Sequence, residues 1–283
     1  MYEENFMKII AVISAAFILV FGFQTAGCKT GEQSKIVDPV VVQDSVPVVP
    51  GWTLVWNDEF SGTAVDLKKW GYEVNGNGGG NNELQYYTSR PENSFIDSGK
   101  LVIQANKETY SGKSYTSARM RTLFKGDWLY GRFDIRAKLP YGQGIWPAIW
   151  MLPSDWEYGG WPTSGEIDIM ELLGHETSKV YGTIHYGSDV QHHLQKGGSY
   201  SLSQGTFAGS YHTFSVVWDS TSFTWYVDGI QYYMTYMMSP FDRRFHMLLN
   251  VAVGGNWPGS PDAFTTFPQR MYVDYVRVYK KAN

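Results

Sequence analysis

The chain lacks several features that stabilise or localise other proteins. It has one cysteine, Cys28, so no disulfide can form within it and its stability has to come from a packed core. With 23 basic and 27 acidic residues its formal charge is −4, so there is no basic excess to favour nucleic-acid binding. Long helical periods and internal repeats are also absent. These absences point to a single packed domain whose function has to be sought in particular residues.

A nucleotide-binding loop is also missing. Residues 76–82 read GNGGGNN, which is similar to a phosphate-binding loop in its glycine content. The run has neither the lysine nor the following helix that such a loop needs. We therefore exclude nucleotide binding and interpret the run as an ordinary loop.

No apolar run is long enough to span a bilayer comfortably. The uncharged residues 9–23 number fifteen, whereas a spanning helix needs about 20. A run of this length is typical of a signal-peptide core. Glu3 and Glu4 disturb the basic start that should precede it, and initiation at Met7 would remove them. We predict that residues 1–27 are a signal peptide.

The cysteine itself suggests how the protein is localised. Small residues precede it in the sequence TAGC, which is typical of a lipoprotein processing site. A lipid on Cys28 would make the protein an exported lipoprotein, anchored to a membrane at the cell envelope or surface without a spanning helix. An ordinary secretory signal is the alternative, because Thr25 stands where leucine is more usual. Residues 28–50 contain three prolines and no helical period, which predicts an extended tether.

The rest of the chain, residues 51–283, has the pattern of an all-β domain. Short alternating segments recur between glycine-rich turns, as in a β-sandwich, and two smaller domains are the less favoured alternative. The dipeptide Asp228-Gly229 between two such segments predicts a tight hairpin, because both turn residues need positive φ. The 11 Trp and 20 Tyr suit sugar binding, although aromatic residues also fill sandwich cores.

The most informative segment is GEIDIME, in which three acids fall within six positions among apolar and β-branched residues. The isoleucines favour a strand. Because side chains alternate along a strand, Glu166 and Asp168 share one face and the isoleucines share the other. Glu171 has the wrong parity for that acidic face. We predict a β-bulge near Ile169 or Met170 that turns Glu171 back beside the other two acids.

Such a bulge would give the acids a chemical use. The carboxyl groups of Glu166 and Glu171 could approach the roughly 5–5.5 Å separation typical of a retaining glycosidase. The charge of Asp168 between them would raise the pKa of a neighbouring carboxyl and keep it protonated near neutral pH. A surface strand with scattered acids and a calcium site are the alternatives. The interleaved isoleucines argue against an exposed surface strand. The preference of calcium for loop oxygens argues against a calcium site.

At these residues the chain resembles glycoside hydrolase family 16, in the laminarinase-like branch with the motif E-x-D-x-x-E. The resemblance runs from about residue 51 to 279. It implies a β-jelly roll of two antiparallel sheets with an open substrate cleft on the concave face. The other segments that carry it are LVWNDEFSG (54–62), NNELQYYT (81–88), SGKLVI (98–103), GQGIWPAIWML (142–152), GTIHYG (182–187), NVAVGGNWPG (250–259) and VDYVRVY (273–279).

The resemblance also implies residue roles and an activity. Glu166 would be the nucleophile, Glu171 the general acid/base and Asp168 an electrostatic helper. The expected activity is endo-acting, retaining hydrolysis of β-1,3 bonds in a laminarin-type β-glucan, by a monomer. Mixed-linkage glucan or a marine galactan are alternative substrates, and transglycosylation is an alternative reaction. A non-catalytic glycan-binding lipoprotein is the alternative from another class, against which the three acids argue.

A tryptophan-rich segment offers a sugar platform. Trp146, Ala148 and Trp150 share one face, and aliphatic residues share the other. This pattern by itself does not distinguish a platform from plain packing, whereas the resemblance favours the platform. Pro147 within the run predicts an edge strand or a bulge there.

Further substrate contacts rest mainly on the resemblance. They are Asn81, Arg119, Trp161, His185 and Trp257. For Arg119 a structural ion pair is the alternative. His185 is assigned to sugar contact or to support of the acids, and not to proton transfer. The neighbouring His192 and His193 are expected in a mobile loop, with only weak support for a metal pair.

The resemblance finally implies a structural calcium on the convex side, although the chemistry needs no cofactor. Its ligands would be Glu59, a carbonyl of Gly99 and Asp274, and oxygen ligands of this kind suit calcium. The alternative is that Asp274 is an ordinary hydrogen-bonded acid on the last strand.

Overall fold

The computed structural model describes residues 46–282, and no helix in that range is long and apolar enough to cross a bilayer. The predicted signal peptide, the lipidation site Cys28 and the tether up to residue 45 lie outside the described residues. The described strands are β1 (Trp52–Asp58), β2 (Gly71–Glu73), β3 (Gln85–Tyr87), β4 (Ser94–Asp97), β5 (Lys100–Tyr110), β6 (Lys113–Ser117), β7 (Arg119–Arg121), β8 (Asp127–Trp128), β9 (Gly131–Lys138), β10 (Ile145–Pro153), β11 (Glu166–Glu171), β12 (Lys179–Gly187), β13 (His193–Ser201), β14 (His212–Trp218), β15 (Ser222–Val227), β16 (Ile230–Tyr236), β17 (Phe245–Val253) and β18 (Gln269–Lys281).

These strands form two sheets around one apolar core. A ten-stranded sheet has the order β16-β15-β14-β9-β18-β5-β6-β3, with β1 paired to β18 and β4 paired to β5. An eight-stranded sheet has the order β13-β12-β11-β10-β17-β7-β2, with β8 paired to β17. Among the described strands the pairings are antiparallel except β3 with β6. The predicted jelly-roll sandwich is confirmed.

Alternation along the central strands decides which side chains reach the core. On β10, Ile145, Ile149 and Met151 are fully buried in the core. Trp146 and Trp150 lie on the opposite face and are partly exposed. The two-faced pattern read from the sequence is therefore confirmed.

Pro147 does not mark an edge strand, so that expectation is wrong. β10 lies in the interior of its sheet, between β11 and β17. Its register with β17 is regular through the pair Pro147↔Val251. The Pro147 carbonyl accepts from Leu172 N at 3.2 Å, just past the end of β11. Because N and O of one residue point the same way in an antiparallel strand, the ladder to β17 does not need the missing N–H.

The predicted bulge is present in β11. Ile149 pairs with Met170 and Trp150 pairs with Asp168, so Ile169 is the extra residue. On the other side of β11 the register also shifts between Asp168 and Glu171. The bulge leaves Ile169 and Met170 buried in the core and returns Glu171 to the face of the other acids.

The predicted hairpin also forms. Asp228 and Gly229 join β15 to β16 with φ angles of 50° and 79°. Both values lie in the left-handed region that a two-residue hairpin turn requires.

Candidate active site

A cleft of about 920 Å³ lies over the outer face of the eight-stranded sheet. Residues reach it from β7, β10, β11, β12, β13 and β17, and from four loops. Because it extends over all these strands, the cleft has a broad floor of strands and is not a single closed pocket. The residues that line it are Gly79, Gly80, Asn81, Glu83, Arg119, Trp146, Ala148, Trp150, Trp161, Glu166, Asp168, Glu171, Tyr181, Thr183, His185, Val190, His193, Gln195, Asn250, Ala252 and Trp257.

The three acids of β11 meet in this cleft because of the bulge. Glu166 is half-buried, whereas Asp168 and Glu171 are 2% and 8% exposed. Within residues 46–282 the only ion-pair partner of these three acids is His185, whose Nε2 lies 3.0 Å from Asp168 Oδ2. Within this described range the three closely spaced carboxyl groups therefore have no lysine or arginine in an ion pair with them.

The surroundings of the three acids raise their pKa values. Burial, followed by the charge of Asp168, raises the pKa of Glu171 to about 8. Burial likewise raises the pKa of Asp168 to about 8 and that of Glu166 well above its usual value. Three negative charges in one buried group repel each other, so the cluster holds at least one proton near neutral pH. A carboxylate beside a carboxylic acid is what nucleophilic attack with acid assistance requires.

Aromatic residues surround Glu171. Trp146 donates its indole N–H to Glu171 Oε1 at 3.1 Å, and this bond favours the charged form of the carboxyl. Trp257 packs edge-on against Trp146 at 5.6 Å and against Tyr181 at 5.0 Å between ring centroids. Trp257 is 42% exposed, so it offers a ring at the rim of the cleft.

Imidazoles surround the other end of the acidic strand. His185 lies opposite Glu166 in the pairing of β11 with β12. Its Nδ1 is 2.8 Å from Nε2 of His193, the first residue of β13. The His193 ring lies 4.8 Å from that of Trp161, which is 39% exposed. One end of the acidic strand is thus bordered mainly by indole rings and the other mainly by imidazoles.

Arg119 has structural partners in the floor of the cleft. It contacts Glu73 and Glu83, each at 3.4 Å, and donates to Tyr87 Oη at 3.3 Å. Its guanidinium also lies 5.2 Å from the Trp150 ring. The ion-pair interpretation of Arg119 is therefore confirmed. A direct sugar contact stays a prediction, although Arg119 does line the cleft.

The remaining predicted contacts also reach the cleft. The Trp150 indole N–H donates to Asn250 Oδ1 at 2.7 Å, which fixes the ring over the floor. Asn81 lies on a loop at the cleft. Its backbone carbonyl accepts a hydrogen bond at 2.8 Å from the N–H of Asn256, the residue next to Trp257. All ten residues predicted to act on or bind substrate therefore line one cleft, and their individual roles stay predictions.

Sequence reasoning missed His193 as a cleft residue. It was expected in a loop beside His192, whereas it begins a strand and faces His185. His192 instead pairs with Asp189 at 2.8 Å on the exposed turn. Tyr181, Thr183 and Gln195 were also missed. Tyr181 and Thr183 have the same parity as His185 along β12, which is a signal that could have found them. Gln195 is placed by the register of β13 with β12.

The predicted calcium ligands lie on the ten-stranded sheet, away from the cleft. Asp274 interrupts the register of β18 with β9, and Gly99 turns into β5 with a φ of 72°. Glu59 follows directly after β1, which pairs with the same strand β18. The three residues therefore lie around one gap, where β1 ends and β5 begins.

The charges in this gap do not suit a bound cation. Lys100 lies 2.6 Å from Asp274, which also contacts Arg136. Arg277 binds Glu59 with two hydrogen bonds, at 2.9 and 2.8 Å. Calcium needs six to eight oxygen ligands and would be repelled by three neighbouring cations. As arranged, these residues do not fit a calcium ion, and the metal stays an untested prediction.

A sandwich with an open cleft and paired carboxyl groups defines the class of carbohydrate-cleaving jelly rolls. The model of the family "Glycosyl hydrolases family 16" matches residues 81–277. The chain is 45% identical over 253 residues to a beta-glucanase of Rhodothermus marinus, covering 82% of this chain and 86% of that protein. It is also 43% identical over 265 residues to glucan endo-1,3-beta-glucosidase A1 of Niallia circulans, covering 83% of this chain and 39% of that longer protein.

A solved structure supports the same assignment. The laminarinase catalytic domain of Thermotoga maritima is 47% identical and superposes with a TM-score of 0.76. The match covers 82% of this chain and 99% of that domain. The chain belongs to glycosyl hydrolase family 16.

Proposed function

We propose that this protein is an endo-acting β-1,3-glucanase that cleaves laminarin-type polysaccharide with retention of configuration. The observation that carries the proposal is the bulge at Ile169, which brings Glu166, Asp168 and Glu171 onto one face of one cleft. The β-glucanase and endo-1,3-glucosidase relatives support the choice of substrate. That the protein acts as a monomer stays a prediction.

In the proposed mechanism the two glutamates act on opposite sides of one bond. Glu171 protonates the leaving glycosidic oxygen while Glu166 attacks the anomeric carbon and forms a glycosyl-enzyme. Glu171 then removes a proton from water, which attacks the same carbon and releases Glu166. Burial and, after it, the charge of Asp168 keep the pKa of Glu171 high.

The shape of the cleft supports attack within a polymer. It crosses the sheet from β13 to β7, and Trp161 borders the Glu166 end of β11 while Trp257 borders its Glu171 end. These two indole rings are partly exposed, so they can pack against sugar rings of a bound polysaccharide. An internal segment of a chain can therefore lie across all the acids at once.

Product analysis on a polysaccharide panel tests this proposal. Laminarin, curdlan, lichenan, agarose and carrageenan are each incubated with the enzyme, and reducing ends and product lengths are followed. We expect rapid loss of laminarin viscosity, mixed oligosaccharides and an initial β-anomer by NMR. Release from the galactans alone would move the substrate to that class. Binding without any new reducing ends would leave a glycan-binding protein.

We further propose that the protein is exported and lipid-anchored through Cys28. The support is the sequence, with its uncharged run at residues 9–23 and the small residues before the cysteine. Metabolic labelling with a tagged fatty acid tests it, with Cys28→Ala as the control. We expect label and membrane association in the wild type alone. Unlabelled, fully released wild-type protein would establish an ordinary secretory signal instead.

A further inference from the structure

His193 makes contacts that the proposed mechanism does not use. Its Nε2 lies 2.8 Å from Nδ1 of His185, and the two ring planes differ by only 20°. Nearly coplanar imidazoles at this distance share one hydrogen between the two nitrogens. On its other side the His193 ring packs against the Trp161 ring, with 4.8 Å between centroids and a tilt of 37°, and this contact holds it in place. His193 is therefore fixed from two directions.

The second nitrogen of His185 indicates which way that hydrogen bond runs. His185 Nε2 lies 3.0 Å from Asp168 Oδ2. This contact is close but poorly aligned, because the buried oxygen makes no well-directed hydrogen bond within residues 46–282. A lone pair on Nε2 would repel that oxygen, whereas an N–H there would stabilise it. The favourable form of His185 thus carries its hydrogen on Nε2.

That form needs a donor at its other nitrogen. In the tautomer that carries its hydrogen on Nε2, His185 can only accept at Nδ1. His193 is the residue placed to donate. Burial lowers the pKa of His193, so a neutral ring with one N–H is favoured.

We propose that His193 is a positioning residue which, by donating Nε2–H to His185 Nδ1, fixes the tautomer and ring orientation that present His185 Nε2–H to Asp168 and the cleft. The inference rests on the proposed function, since it assigns a support to the acid that assists the two glutamates. In metal-binding and catalytic histidines too, the hydrogen bond made by one ring nitrogen decides whether the other nitrogen carries the hydrogen.

The charged groups around the two rings define the electrostatic consequence. Glu166, Asp168 and Glu171 face them from β11, and Arg119 lies across the cleft on β7. The His192–Asp189 pair lies on the turn before β13, and Lys196 has the opposite parity on β13. Loss of the His193 donor releases the other tautomer of His185, which turns a lone pair to Asp168. The acidic cluster then holds protons more tightly, and the acidic limb of kcat/KM moves to higher pH.

Two substitutions separate the hydrogen bond from the ring packing. His193→Phe keeps an aromatic ring against Trp161 and removes the donor. His193→Gln keeps an N–H at nearly the same position and removes the ring. We expect the first variant to lose roughly tenfold in kcat with little change in KM, and its acidic limb to rise by about 0.5 pH unit. The second should retain most of the wild-type kcat.

Nitrogen-15 NMR of ring-labelled histidine reads the tautomer directly. We expect His185 of the wild type and of His193→Gln to carry hydrogen on Nε2, and His193→Phe to show a mixture. Equal thermal melts confirm that each variant folds. A wild-type spectrum with hydrogen on Nδ1, or His193→Gln less active than His193→Phe, would overturn the proposal. A wild type inactive on every β-1,3-glucan would instead overturn the proposed function, while the spectra still test His193.

Discussion

Acidic side chains lie on both sheets of the sandwich and are neutralised in different ways. On the ten-stranded sheet Asp274 contacts Lys100 at 2.6 Å and also Arg136, and Glu59 is bound by Arg277. On the eight-stranded sheet the three acids of β11 have His185 as their only ion-pair partner within residues 46–282. One sheet pairs its carboxylates with cations, and the other places its acids beside one another.

The difference shows in their proton affinities. Burial raises the pKa of Asp274, but Lys100 and Arg136 outweigh it and the pKa is lowered. Burial and a neighbouring acid raise the pKa of Glu171 to about 8. A paired carboxylate stays charged and supports the fold, whereas an unpaired one keeps a proton that it can donate. The acids without cations are therefore the ones available for chemistry.

The largest expected effect separates the two sheets by activity. Glu166→Gln should lower kcat on laminarin roughly 10⁴-fold, because the amide cannot act as the nucleophile. Asp274→Asn is the matched control, and its kcat should change less than about twofold. Reducing-end assays and a thermal melt measure both variants. Comparable losses in the two variants would contradict a functional division between the sheets.

The pH profile tests the raised proton affinity of Glu171. Since this residue has to be protonated to act as an acid, kcat/KM should fall as pH rises through about 8. Trp146→Phe removes a hydrogen bond to the charged form, so the basic limb should move up by about 0.5 pH unit. Initial rates from pH 4 to 10 measure both limbs. A basic limb that stays in place in the variant would show that Trp146 does not tune this acid.

Stability should change in opposite directions in the two regions. Folded Glu171 keeps its proton up to about pH 8, whereas the unfolded chain loses it near 4.5, so this acid lowers stability as pH rises between those values. Glu171→Gln should therefore raise the free energy of unfolding at pH 8 by about 1–3 kcal/mol and change it little at pH 4.

The stability that Asp274 contributes changes with pH in the opposite direction. Its folded pKa is depressed, so it contributes stability above the unfolded value of 3.8, and this is lost as pH falls through the lower folded value. Asp274→Asn should cost about 1 kcal/mol at pH 7, since the pair is partly exposed. Denaturant unfolding at several pH values checks both variants. The same sign for both at pH 8 would refute the comparison.

The smallest expected effect concerns calcium. Because cations already neutralise Glu59 and Asp274, EDTA or added calcium should shift Tm by less than about 2 °C. Scanning calorimetry with and without chelator measures this shift. A drop of several degrees on chelation, reversed by calcium, would show that the ion displaces Lys100 and the arginines.

Strand alternation explains how much of the site could be predicted. The parity of Glu166, Asp168 and Glu171 required a bulge, and the bulge lies at Ile169 as expected. The same alternation predicts that Trp146 and Trp150 lie on one face of their strand. These predictions succeeded because they depend on residues that are neighbours along one strand.

Relations between strands could not be read in this way. The sequence predicts a loop at His193, since nothing local shows that this residue pairs with β12 and meets His185. The sequence also predicts an edge or bulge at Pro147, because no local pattern shows that β11 ends beside it and makes its missing N–H tolerable. Arg119 had two open interpretations until Glu73 and Glu83, from distant segments, were placed beside it.

The sequence by itself determined the strand pattern, the hairpin at Asp228 and the convergence of three acids, because period-2 alternation and turn chemistry act within a few residues. Only the tertiary structure decided which acids have cationic partners and which do not. Lys100, Arg136 and Arg277 reach Asp274 and Glu59 through packing of strands far apart in the chain. Burial and charge pairing depend on that packing, and they set the proton affinities on which the proposed chemistry depends.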